Sequence, residues 1–143
     1  MELRGVLETA VYAEDLDAAE DFYGRLLGLT RISRDRDRHV FYRCGNGVFL
    51  VFNANVTAHD PASVGDSMVP AHGPRGASHM AFRVRDDELP AWRERLLREG
   101  VQIESEIAWP RGGHSIYFRD PAGNSIELAS PKLWGLAEDP AGN

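Results

Sequence analysis

Cysteine is almost missing from this chain. Of 143 residues only Cys44 is one, so no internal disulfide can form, and the composition fits the reducing cytoplasm. Basic residues are also short, with 16 Lys and Arg against 22 Asp and Glu and a net charge of −6. That balance argues against nucleic acid or an anionic membrane as the main partner, because both need a basic surface. No apolar run approaches the roughly 20 residues that cross a bilayer. The N-terminus lacks the basic, apolar and cleavage regions of a secretory signal. What is present is ordinary. With 43% hydrophobic and 27% charged residues, the chain can build one domain with a real core, or two merged half-size modules.

An internal repeat decides between these. Glu8-Thr9-Ala10-Val11-Tyr12-Ala13-Glu14-Asp15 reads as a strand running into a helix cap, and His79-Met80-Ala81-Phe82-Arg83-Val84-Arg85-Asp86 reads the same way. Superposing them puts Glu8 on His79 and Asp15 on Asp86. An amphipathic helix follows each strand. The first carries Leu16, Ala19, Phe22, Tyr23 and Leu26, with Asp15 as N-cap and Gly28 as its stop. The second carries Leu89, Trp92 and Leu96, with Pro90 in the first turn and Gly100 at the end.

Short strands follow in both halves: Arg31–Ser33, His39–Arg43 and Val48–Asn53, then Gln102–Ala108, Ser115–Arg119 and Ser125–Ala129. A Gly-Asn turn precedes each last strand, at Gly45-Asn46 and Gly123-Asn124. The predicted class is α+β, two βαβββ modules in a single domain over residues 1–131. Module one is 1–57, the linker 58–75 and module two 76–131. The stretch from Ala54 to Ala77 holds three of the eight prolines and no periodicity, as a linker or lid would. In the tail, 132–143, the apolar cluster Leu133, Trp134 and Leu136 is expected to dock on the body, with Glu138–Asn143 frayed.

Alternation sorts the strand faces. Met80, Phe82 and Val84 suit packing against a helix, as do Ile116, Phe118, Ile126 and Leu128. The opposite faces carry Glu8, Tyr12, His79, Arg83, Ser115, Tyr117 and Glu127, a set too polar for a core and suited to a cleft.

Three motifs together resemble the vicinal oxygen chelate superfamily, the glyoxalase, bleomycin-resistance and extradiol-dioxygenase proteins. They are the opening Glu8–Leu16 with Phe22-Tyr23 and Leu26-Leu27-Gly28-Leu29, the central Gly76–Phe82, and Tyr117–Leu128 with its Asp120-Pro121-x-Gly123-Asn124-x-x-Glu127-Leu128 element. The resemblance implies two βαβββ modules whose sheets curve around one cleft, often completed across a homodimer. It also implies a divalent ion held by Glu8, His79 and Glu127. Many relatives have His or Gln where Glu8 stands. Matching the two Gly-Asn turns sets Phe49 against Glu127, so no fourth ligand is expected.

One imidazole and two carboxylates suit Mn²⁺, Fe²⁺, Co²⁺, Ni²⁺ or Zn²⁺. Three protein ligands leave sites for a small substrate that chelates through two neighbouring oxygens, with the ion as Lewis acid. Glu8 or Glu127 could release the ion and act as catalytic base. Glu8 also fits a plain surface carboxylate, and His79 a hydrogen-bonded structural one.

Substrate contacts are expected from Tyr12, Phe49, Arg83, Trp109, His114, Ser115 and Tyr117. Arg83 suits a substrate carboxylate, or an internal ion pair with Glu8 or Glu127. His72 could cap the cleft, whereas His39 and His59 read as solvated and Cys44 as unreactive. The leading function is a metal-dependent lyase or isomerase. Ring-cleaving dioxygenase and thiol transfer of the fosfomycin-resistance kind follow, and a metal-free drug- or metabolite-binding protein is the alternative outside enzymes.

Overall fold

Each half of the chain repeats one strand–helix–three-strand unit, and the computed structural model describes it over residues 6–60, 63–64, 67–68 and 71–138. The chain divides into two units, Met1–Ser78 and His79–Asn143.

The first unit opens with β1 (Glu8–Tyr12), whose Val11 is fully buried. Asp15 caps the following helix α1 by accepting the Ala18 N–H at 2.9 Å. After Leu16–Glu20 the helix widens into a π-type segment, Asp21–Leu26, that buries Phe22, Tyr23 and Leu26. Gly28, at φ +78°, ends the element. Strands β2 (Thr30–Asp35), β3 (His39–Cys44) and β4 (Gly47–Phe52) complete a sheet of order β1-β4-β3-β2, with β1 parallel to β4 and the other pairs antiparallel. Val11, Val40, Tyr42, Phe49 and Val51 share the helix side and form the core.

The stretch expected to be a linker holds a short helix α2 (Ala54–Thr57), capped by Asn53, and an antiparallel pair of short strands, β5 (Ser63–Val64) with β6 (Ser67–Met68). Thr57 is fully buried, and its carbonyl accepts the His72 N–H at 3.0 Å. Side chain to backbone capping at Asn53 supplies the order that lacked a periodic signal.

The second unit repeats the plan. Strand β7 (His79–Arg83) leads through a 3₁₀ turn, Asp86–Glu88, into α3 (Leu89–Arg98), which Gly100 closes at φ +75°. Strands β8 (Ile103–Ala108), β9 (His114–Arg119) and β10 (Ser125–Ala129) give the order β7-β10-β9-β8, again with the outer pair β7 and β10 parallel. Leu89 and Leu96 of α3 are buried, as are Phe82, Ile116, Phe118, Ile126 and Leu128 of the sheet.

The tail holds on through polar contacts, where an apolar cluster was expected. Pro131 is buried, but Trp134 and Leu136 are 78% and 52% exposed. The Ser130 N–H donates to the His114 carbonyl at 3.0 Å, and Arg83 donates to the Ala137 carbonyl at 2.9 Å. Glu138, expected to fray, pairs with Lys132 at 3.1 Å and accepts the Asp86 N–H at 3.3 Å. Residues 139–143 lie outside the described residues.

Candidate metal and substrate site in the second unit

The loop before β10 fixes where Glu127 points. The Asp120 carboxylate, in a residue only 5% exposed, accepts the Asn124 backbone N–H at 2.7 Å and its side-chain amide at 2.8 Å. The tight turn sets the register Ser125↔His79 and Glu127↔Tyr117. With Ile126 and Leu128 committed to the helix side, Glu127 faces the other way, and its side chain is 7% exposed.

His79 meets Glu127 there. Its Nδ1 lies 3.1 Å from the Ser125 carbonyl oxygen, which can only accept, so Nδ1 carries the proton. Nε2 then faces Glu127 Oε2 at 3.4 Å. An unprotonated Nε2 would set a lone pair against a carboxylate, and a proton or a metal ion between them removes that repulsion. The spacing suits two donors on one first-row ion, whose bonds of about 2.0–2.2 Å hold neighbouring ligands roughly 3 Å apart. The pair therefore fits a metal. Tyr117 stacks beside His79 with ring centroids 6.3 Å apart, and the Glu127 carboxylate is its charged neighbour. Burial, and then the neighbouring Glu127 carboxylate, pushes the Tyr117 phenol up to about 12. Around these residues lies a cavity of about 460 Å³, lined also by Trp109, Pro110, Arg111, Leu133 and Trp134.

The family model for the glyoxalase/bleomycin resistance protein/dioxygenase superfamily matches residues 5–128. The chain belongs to this superfamily. A solved structure, a lactoylglutathione lyase from Agrobacterium tumefaciens, is 36% identical over 95% of this chain and all of that one, with a TM-score of 0.87. Two curated relatives are metallothiol transferases FosB. The one from Shouchella clausii is 36% identical over 64 residues, 39% of this chain and 40% of that protein. The one from Bacillus licheniformis is 31% identical over 84 residues, 58% and 48%. The chain thus spans about half or less of the length of these curated relatives.

Within this glyoxalase-superfamily chain the other expected site residues are distributed as follows. Glu8 lies in the first unit, at the exposed start of β1. No group of three or more His, Cys, Asp and Glu placed to hold a metal occurs among the described residues. Tyr12, also in the first unit, has its hydroxyl 2.8 Å from His72 Nδ1. His39, read as solvated, stacks on Phe41 at 3.8 Å, and burial lowers its pKa.

Phe49, expected to touch substrate, packs in the core instead. It is 1% exposed in the helix-side core, its ring centroid 4.7 Å from that of Tyr23, and so is no substrate contact. The ladders pair Glu8 with Val48 and His79 with Ser125, so Leu50, not Phe49, takes the place of Glu127 in the first module. The second hairpin loop is longer than the first, and aligning their Gly-Asn pairs shifted the register by one, which exchanges the two faces. Leucine also lacks a ligating atom.

Ser115, 1% exposed, accepts the Trp109 indole N–H at 2.8 Å, which fixes that ring on the cavity wall. His114 points away. Its Nδ1 lies 2.9 Å from Asp86 Oδ1, in a second cavity of about 470 Å³ between α3, β8 and β9 that Arg93 and Glu106 also line. His114 is thus outside the residues that surround His79. Arg83 is turned to the tail carbonyls. Sequence reasoning missed Arg111, Leu133 and Trp134 as lining residues. Arg111 had a usable signal, a long cation held between Pro110 and two glycines.

Proposed function

We propose that the chain is a metal-dependent lyase or isomerase of the glyoxalase kind, acting on a small substrate that offers two neighbouring oxygens to a divalent ion. The observation that carries this reading is His79 Nε2 facing the enclosed Glu127 carboxylate at 3.4 Å, with Nδ1 tied to Ser125. Likeness to a lactoylglutathione lyase at 36% identity over 95% of the chain supports the reaction class.

His79 and Glu127 would hold the ion, with Glu8, the matching residue of module one, as a further ligand. When bound, the ion supplies Lewis acidity toward the substrate oxygens. Glu127 or Glu8 takes a proton from the substrate carbon bearing oxygen and sulfur, and the C–H electron pair moves toward the neighbouring carbonyl. Returning a proton to that neighbouring carbon, while the hydroxyl proton passes to the former carbonyl oxygen and the sulfur-bearing carbon becomes the new carbonyl, completes the isomerisation with no external oxidant or reductant. Tyr117, opposite Glu127 in the sheet and stacked on His79, walls the pair. A homodimer is part of the same reading. The FosB relatives favour a second one, transfer of a thiol to a small electrophile under the same ion.

Elemental analysis of untagged protein, after dialysis against Mn²⁺, Ni²⁺, Zn²⁺ or Fe²⁺, tests the site. A stoichiometric ion is expected, lost in Glu8→Ala and His79→Ala. The loaded protein should isomerise hemithioacetals of 2-oxoaldehydes, and His79→Ala should reduce kcat/KM at least about a hundredfold. Protein that takes up no ion overturns the reading.

A further inference from the structure

Resting on the substrate site proposed above, we propose that Arg111 selects substrates carrying an anionic group apart from the oxygens offered to the ion. The ionisable side chains of His79, Glu127 and Arg111 line the cavity, with Tyr117 beside them. The first two answer each other. Arg111 makes no hydrogen bond or ion pair among the described residues, although acidic residues outnumber basic ones in the chain. Several other arginines are held by carboxylates, as Arg25 is by Asp21, Arg34 by Glu20, Arg93 by Glu106 and Arg119 by Glu104. A guanidinium left open on a cavity wall is a ready partner for a carboxylate, sulfonate or phosphonate.

The loop that carries Arg111 is built to hold still. The Trp109 N–H donates to the Gly113 carbonyl at 3.0 Å, and the Gly112 N–H to the Trp109 carbonyl at 2.9 Å. Below it, the Trp109 indole is tied to the buried Ser115. Gly113 sits so close to the tail that a Cβ there would meet Leu133 N at 2.9 Å. Loop and tail are therefore one packed wall, with Arg111 at the turn and Leu133 and Trp134 lining the cavity beside it. A donor carried on an ordered loop leaves less backbone to be ordered on binding than one on a mobile segment. The apolar surface of Trp109 and Trp134 would accept the carbon body of the ligand.

The test uses a pair of probes of similar shape, 3-phenylpropanesulfonate and 3-phenylpropanol, neither of which chelates. Calorimetric titration into the full chain should show the sulfonate binding roughly fivefold more tightly than the alcohol, with the difference shrinking in high salt. Arg111→Gln should remove the preference, and Arg111→Lys should keep part of it. Equal affinities in the wild type, no binding of either probe, or a preference that survives Arg111→Gln would each overturn the proposal.

A parallel assay separates this from the reaction itself. Hemithioacetals of methylglyoxal with mercaptoacetate and with 2-mercaptoethanol differ by one negative charge. If the metal-loaded protein turns over both, Arg111→Gln should lower kcat/KM for the mercaptoacetate adduct alone, and equal loss on both counts against an anion anchor. If neither is isomerised while the sulfonate preference stands, the catalytic reading fails and the anion site holds.

Discussion

Gly113 shows what one residue can control in this molecule. Its φ of +83° lies where L side chains are strained, and the tail backbone passes at 2.9 Å from where a Cβ would stand. Gly123 has the same φ, but nothing lies within 4 Å of its would-be Cβ. The comparison separates strain from crowding. Gly123→Ala should cost about 1 kcal/mol from backbone strain alone, and Gly113→Ala about 2–3 kcal/mol, because Leu133 cannot retreat without moving the turn that carries Trp134. Urea unfolding of the two variants measures the difference. Equal losses would mean that the contact between loop and tail contributes nothing.

At the scale of an element, the loop 120–124 works as a clamp on β10. Its buried Asp120 satisfies two N–H groups of Asn124, and β10 begins one residue later. Asp120→Ala would leave those donors unpaired in a buried place, so a loss of about 2–4 kcal/mol is expected by thermal or urea unfolding. A loss below about 1 kcal/mol would show that the turn holds by its backbone alone.

The motif holding this clamp was among the most legible parts of the sequence, as were the strand and helix order, the Asp15 cap and the face on which His79, Tyr117 and Glu127 meet. Those features rest on periodicity and local capping, which a sequence displays directly. The misplacement of Phe49 came from loop length. A Gly-Asn pair marks a turn but does not count the residues around it, and one residue reverses a strand's faces. The π-type widening of α1 and the small helix α2 carry no periodic signature. The isolation of Arg111 depends on which carboxylates lie within reach, and spacing along the chain does not encode that.

Across the whole molecule, acid stability follows from where the carboxylates find partners. Arg25 beside Asp21, Arg85 beside Asp87, Arg119 beside Glu104 and His114 beside Asp86 each hold a carboxyl below its ordinary value. A carboxyl with a depressed folded-state pKa adds stability that is fully present above its unfolded value, 3.8 for Asp and 4.5 for Glu. That contribution is lost as pH falls through the lower, folded value. The protein should therefore hold its urea midpoint on the acid side down to about pH 4.5 and lose it progressively below. Asp86 is the informative member, because its partner His114 ties the start of the 3₁₀ turn to β9. Asp86→Asn should lower the midpoint at pH 7, and the gap from wild type should close as pH falls through the lowered Asp86 value and the wild-type carboxyl takes up its proton. Added salt should narrow the gap at pH 7, since these pairs stand in or near solvent. A gap that stays constant from pH 7 to pH 2.5 would show that Asp86 acts through packing, with its charge contributing nothing to the fold.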